Sequence, residues 1–178
     1  MLHTLLIALA IIGSLAAVIT LLIMITKRQG RQRNKQLQDA YLSQLAQHNL
    51  NPEFSQVFDH RILALDAGRG VFVFVQHNEA QPAAVIDLSD ISDCKLWKDG
   101  VQISRKRGNR PEAVEEYINA VGLSFARKSG VAMNIPVYTE MLDGIEQKNT
   151  LHKAAEQWHQ RIKTALATSA EHEPQGVM

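Results

Sequence analysis

One cysteine, Cys94, is all that this 178-residue chain carries. No intramolecular disulfide and no multi-cysteine zinc site can form from it, which suits a reducing compartment. A His-Glu-x-x-His pattern is missing as well, and His152 and His159 stand seven apart on one helical stretch, too far to share a metal without a third element. The expectation is no metal, no cofactor and no catalytic residue, hence no enzyme. Gly68 and Gly70 lack the spacing and the following helix of a phosphate-binding loop. No internal repeat and no low-complexity tract is present. A basic surplus is absent from the body of the chain. The 19 Lys and Arg, less five at positions 27–35, leave 14 against 18 Asp and Glu beyond residue 36, a net charge of −4. That argues against nucleic acid as a partner.

The most consequential absence is charge near the start. Leu5 to Ile25 are 21 residues without one, including six Leu, six Ile and one Val. As a helix they span roughly 30 Å, the thickness of a hydrocarbon core, and contribute roughly 5 kcal/mol toward insertion. Lys27, Arg28, Arg31, Arg33 and Lys35 follow at once, and such clusters stay on the cytoplasmic side. In a cleaved signal peptide the cations precede a shorter run and a small-residue site follows it; here the order is reversed. The expectation is a single-pass signal-anchor over 1–26 in a bacterial inner membrane, N-terminus outside and C-terminal domain in the cytoplasm. Gly13 and Ala17 have a small-xxx-small spacing that lets two helices approach. The alternatives there are a homodimer contact and ordinary membrane-helix composition.

Residues 27–52 read as a basic juxtamembrane segment, 27–36, that continues the first helix or links it to the next, and an amphipathic linker helix with Leu37, Tyr41 and Leu45 every fourth residue and Asn51-Pro52 as the stop. The pattern then turns to short β-type runs. Arg61–Leu65 and Val71–Gln76 flank the turn-rich Asp66-Ala67-Gly68-Arg69-Gly70, and Val71-Phe72-Val73-Phe74-Val75 has the composition of a strand buried on both faces. Ala83–Leu88 is a further strand, ended at Ser89-Asp90. Asp99-Gly100 predicts a type I′ hairpin between Asp93–Lys98 and Val101–Arg105. Pro111, with Glu112, Glu115 and Glu116 behind it, predicts a short helix ending near Gly122. Leu123–Arg127 and Val131–Tyr138 predict a hairpin across Lys128-Ser129-Gly130, with Pro136 placing the second strand at an edge or bulge. From Asn149 or Thr150 to about Ala167, the stripe Leu151, Ala155, Trp158, Ile162 and Leu166 predicts an amphipathic helix. Residues 169–178 read as a disordered tail.

Several short strands followed by one amphipathic helix with a Trp in its stripe is the element order of a pleckstrin-homology-like domain. Three stretches resemble a group of bacterial membrane-anchored proteins with such a domain: Ile62-Leu63-Ala64-Leu65-Asp66, Val85-Ile86-Asp87-Leu88-Ser89-Asp90-Ile91, and Val121–Tyr138. The resemblance covers about a third of the chain. It implies an α+β protein, a single transmembrane helix followed by a small antiparallel β-barrel or sandwich over 53–168 with a C-terminal capping helix and a helical insertion at about 105–121. It implies no established activity. The expected role is a non-enzymatic scaffold or adaptor that presents this module to a protein partner near the membrane. The alternative is a domain that senses lipid headgroups through Arg105, Lys106, Arg107 and Arg110. For that basic segment the bland reading is a solvated loop balanced by the nearby glutamates, and for Cys94 it is a small buried residue.

Overall fold

The computed structural model describes the backbone of residues 2–77, 83–107 and 110–171, and side chains over 19–77, 83–101 and 117–168. It is an α+β arrangement of two antiparallel sheets and a C-terminal helix. Helix α1 (Leu2–His48) precedes β1 (Phe54–Val57), β2 (Arg61–Asp66), β3 (Val71–Gln76) and β4 (Ala83–Asp87), which form one sheet in chain order. A 3-10 turn, Leu88–Asp90, leads to the second sheet of β5 (Ile91–Arg107), β6 (Arg110–Arg127) and β7 (Ala132–Thr139). Helix α2 (Glu140–Asp143), a 3-10 turn (Ile145–Gln147) and α3 (Lys148–Glu171) complete the chain.

The sheets face each other without closing into a barrel: among the described residues no pairing joins β4 to β5 or β1 to β7. At the corner, the Asp87 carboxylate accepts the Ser89 N–H at 2.9 Å and turns the chain out of the first sheet. Between the sheets Phe72, Phe74, Leu63 and Leu65 meet Leu123, Phe125, Ile135 and Val137. Trp158 of α3 is wholly buried among them, its ring 5.9 Å from that of Phe72 in edge-to-face contact. The indole N–H donates to Gln56 Oε1 at 2.8 Å, so its polar tip is satisfied inside the core. The α3 stripe thus docks as its spacing predicts.

All of β2 is buried, on both faces. Alternation explains it. Leu63 and Leu65 point to the second sheet, whereas Ile62, Ala64, Val73 and Val75 form a second cluster under Leu37, Ala40 and Tyr41 of α1. The first sheet is therefore a middle layer, which accounts for the unbroken apolar β3. Helix α1 stops a little before Asn51-Pro52. Asn49 takes a left-handed φ of 50°, and the Leu50 N–H returns to the Leu45 carbonyl at 2.9 Å, a common helix end.

Two expectations are corrected. Asp99-Gly100 is no hairpin turn; it lies inside β5, where the register shifts opposite Ala120 and Ile118. Gly100 is not among the positive-φ glycines. A Cβ there would sit 2.5 Å from the Tyr117 carbonyl oxygen, so glycine serves close strand approach at a bulge. The helix expected from Pro111 to Gly122 is instead strand β6. Its Val114, Tyr117, Ile118 and Val121 suit extended backbone, and pairing along β5 overrides the helix-start signals at Pro111 and the glutamates. Gly122 terminates nothing. It faces the Ile135 carbonyl and Trp97 Nε1 so closely that no side chain fits. Helix α1 is one unbroken helix of 47 residues, so residues 27–36 continue the helix and do not link two.

Among the described residues no helix is long and apolar enough to cross a membrane. Residues 2–18, which hold most of the run Leu5–Ile25, are described as helical backbone alone, so the span expected over 1–26 lies largely outside the described side chains. The tail beyond 171 also lies outside the described residues; α3 itself runs through Glu171.

Candidate interaction surface

The C-terminus of α1 is held at one end of the first sheet by a few polar contacts. The Asp66 carboxylate accepts the Asn51 N–H at 2.8 Å and the Arg69 N–H at 3.0 Å, while Arg69 Nη1 donates to the His48 and Asn49 carbonyls at 3.0 and 2.6 Å. A cation on the last carbonyls of a helix is favourable in itself. These contacts fasten the C-terminus of α1 to the β2–β3 turn. Leu37, 11 residues earlier and so about 16 Å back along the helix, is buried with Ile62 and Val75 near the opposite ends of β2 and β3. Helix α1 therefore leaves the sheet past Arg61 and Gln76.

At that same end Arg61 is fully buried. Its Nη2 donates to both carboxylate oxygens of Asp143 at 3.0 and 2.8 Å, and Nη1 donates to the Pro136 carbonyl at 3.3 Å. Asp143 also accepts the Thr139 N–H at 2.8 Å. Gln147 Nε2 reaches Asp59 Oδ2, in the β1–β2 turn, at 3.1 Å. The first sheet, the end of β7 and the α2 turn are thus tied together, and the tie displays apolar side chains. Met141 is 97% exposed, Ile145 64% and Val57 61%. A shallow cleft lined by Asn119, Ala120, Thr139, Glu140 and Met141 opens beside them.

From this end a two-stranded arm projects. The last pair between β6 and β7 is Ala120 with Thr139, but β5 and β6 go on pairing alone from Val101–Tyr117 to Arg107–Arg110. The Tyr117 hydroxyl hydrogen-bonds to Glu140 of α2 at the base of the arm, which holds the phenol above its usual pKa. Eight residues of strand give the arm a length of roughly 25 Å.

The residues singled out in the sequence separate as follows. Lys27, Arg28, Arg31, Arg33 and Lys35 are all exposed on α1. Arg105, Lys106 and Arg107 end β5 and Arg110 begins β6, so the expected basic loop is the far end of the arm; their side chains lie outside the described residues. Cys94 is buried, and desolvation, with Asp93 nearby, pushes its thiol up to about 12. That state suits a packing residue and not a nucleophile. His159 Nε2 lies 3.0 Å from the Cys94 carbonyl and His152 3.7 Å from Glu156, and among the described residues no cluster could hold a metal ion.

Sequence reasoning missed Arg61 and Asp143. One signal was available: a lone arginine opening the apolar run Ile62–Leu65. Its partner is 82 residues away, and nothing local marks it.

Comparison with protein-family models, with curated proteins and with solved structures finds no match for this chain.

Proposed function

We propose that the chain is a single-pass protein of a bacterial inner membrane. It holds a pleckstrin-homology-like interaction module at the cytoplasmic face, without enzymatic activity, for a protein partner at the same membrane. One observation carries this reading. A single helix includes the uncharged run Leu5–Ile25, continues through five exposed cations, and ends clamped onto the sheet by Asp66 and Arg69. Anchor and module are then one mechanical piece. The 12 residues from Ile25 to Leu37 set the near end of the domain about 18 Å from the hydrocarbon edge.

The four-plus-three-stranded arrangement with a C-terminal helix agrees with a pleckstrin-homology-like module. The exposed Met141, Ile145 and Val57 give it an apolar surface at the end facing the bilayer, where a partner in the same membrane can meet it. The buried, raised thiol of Cys94 leaves the one cysteine without nucleophilic use.

Photo-crosslinking residues placed in the full-length protein at Val57, Met141 and Ile145 test this in intact cells. The reading expects one common protein adduct at these three positions and none at Lys95, an exposed residue of β5. No adduct, or the same adduct at Lys95, would overturn it.

A further inference from the structure

We infer that the apolar face formed by Val57, Met141 and Ile145 seats the basic segment of α1 from a second copy of this chain, so that two copies form a symmetric dimer at the membrane. The inference deepens the partner reading proposed above and rests on it.

The charges of the basic segment have no counterpart within the molecule. Asp39 is the first acidic residue of the chain. Lys27, Arg28, Arg31, Arg33 and Lys35 are all exposed, and among the described residues none of them has an ion-pair partner. Four of the five share one side of the helix. Lys27, Arg31 and Lys35 follow one another every fourth residue and Arg28 stands three before Arg31, so the four occupy about 100° of arc. Leu37 faces the first sheet, and these four lie roughly 80–180° around the helix from it. The stripe turns away from the domain that carries it. Like charges at such spacings work against one another along a helix, and acids supplied from outside relieve them.

The face at Met141 has the complementary make-up. Glu140 and Glu146 adjoin Met141 and Ile145 in the chain, and Asp59, two residues after Val57, is held to the same turn by the Gln147 amide. Of the cations nearby, Arg61 is committed to Asp143, and Lys148 is half-buried. An apolar centre with an acidic rim suits long cationic side chains, whose methylene stems lie along apolar surface while their heads reach the carboxylates. The Met141 thioether adapts to such irregular contacts.

Height above the membrane selects a second copy as the occupant. Leu37 packs beside Ile62. Asp59, three residues before Ile62, stands about 10 Å further toward the bilayer, and about 10 Å of helix is six or seven residues. Arg31 is therefore level with Asp59, and Lys35 lies one turn behind it. Two copies anchored in one membrane stand at equal height, so each presents Arg31 and Lys35 at the level of the other's acids. A two-fold axis along the membrane normal makes this contact twice. A stable interface in solution takes about 20–30 residues a side, more than this face offers. Confinement to one plane and the doubled contact raise the effective concentration in compensation, so the dimer belongs to the membrane-bound protein.

The test uses two full-length copies with different tags, co-expressed in intact cells, one of them with a photo-crosslinking residue at Met141. The inference expects an adduct that carries both tags, with the attachment mapped by mass spectrometry to residues 27–36 of the second copy. Arg31→Glu with Lys35→Glu in the second copy should lower the yield several-fold, while the remaining three cations hold the topology. Glu140→Lys with Glu146→Lys in the first copy should do the same, and combining the two altered copies should restore the adduct. The α1 changes fall on an exposed stretch of helix outside the core, so they keep the test decisive if the lysine variant folds poorly. An adduct of Met141 with another protein alone would overturn the dimer and leave the partner reading standing. A doubly tagged adduct that maps elsewhere, or that the α1 charge reversal leaves unchanged, would also overturn it. No protein adduct, or attachment to lipid alone, would overturn both.

Discussion

Arg61 and Asp143, 82 residues apart in sequence, form a bidentate ion pair with both side chains buried, and it joins the two sheets at the edge where α1 departs. Removing one partner leaves the other as an uncompensated buried charge. Asp143→Ala is expected to destabilise the full-length protein in detergent by about 3–5 kcal/mol. Replacing both at once, with Arg61→Met and Asp143→Leu, should cost less than the single change. Thermal unfolding measures both. A double variant as damaged as the single would show that the pair's other hydrogen bonds, to Pro136 and Thr139, matter more than its charge balance.

Trp158→Ala empties the largest site in the core and frees Gln56 Oε1 of its donor. A loss of about 3–5 kcal/mol is expected. An unchanged unfolding midpoint would mean that α3 does not dock through this face.

Gly122→Ala is expected to cost roughly 1–3 kcal/mol, because a Cβ there meets the Ile135 carbonyl and the Trp97 ring nitrogen. Gly68→Ala is the comparison. Its Cβ would find its nearest neighbours at 3.7 Å, an ordinary contact, so little change is expected. Equal midpoints for the two variants would contradict the register of β6 against β7.

These glycines show where the sequence could be read and where it could not. The stripe of α3, the two-sided burial of β3, the turns at Asp66–Gly70 and Lys128–Gly130, and the edge placement of Pro136 follow local rules of period and turn chemistry, and the structure agrees. Asp99-Gly100 and Pro111 carried equally clear local signals and were misread. Both lie on strands whose partners are each other, and a long β5–β6 pairing outweighs a turn or cap worth about 1 kcal/mol. Strand β1, four residues reading Phe-Ser-Gln-Val, is too short to announce itself and exists through pairing with β2. At the candidate surface the cations were legible, but the Arg61–Asp143 tie that brings arm and anchor to one end was not.

Cys94 gives a pH dependence with a definite sign. Its folded thiol titrates near 12 against an ordinary 9.0, so above pH 9 the unfolded chain releases this proton first. Stability from this residue is complete below pH 9 and declines as pH rises toward 12. By pH 10.5 the wild type should have lost about 2 kcal/mol relative to Cys94→Ala, measured as the difference between their pH–stability curves. Parallel curves between pH 8 and 10.5 would show that the thiol is solvated.

The central claim is that α1 spans the membrane with the folded domain on the side of Lys27–Lys35. Paired topology reporters fused after Met178 of the full-length chain test it most directly, one active only in the cytoplasm and the other only in the periplasm. The account predicts signal from the cytoplasmic reporter alone, in cells whose membrane fraction retains the fusion after alkaline carbonate washing. Periplasmic reporter activity, or release of the fusion by the wash, would contradict it.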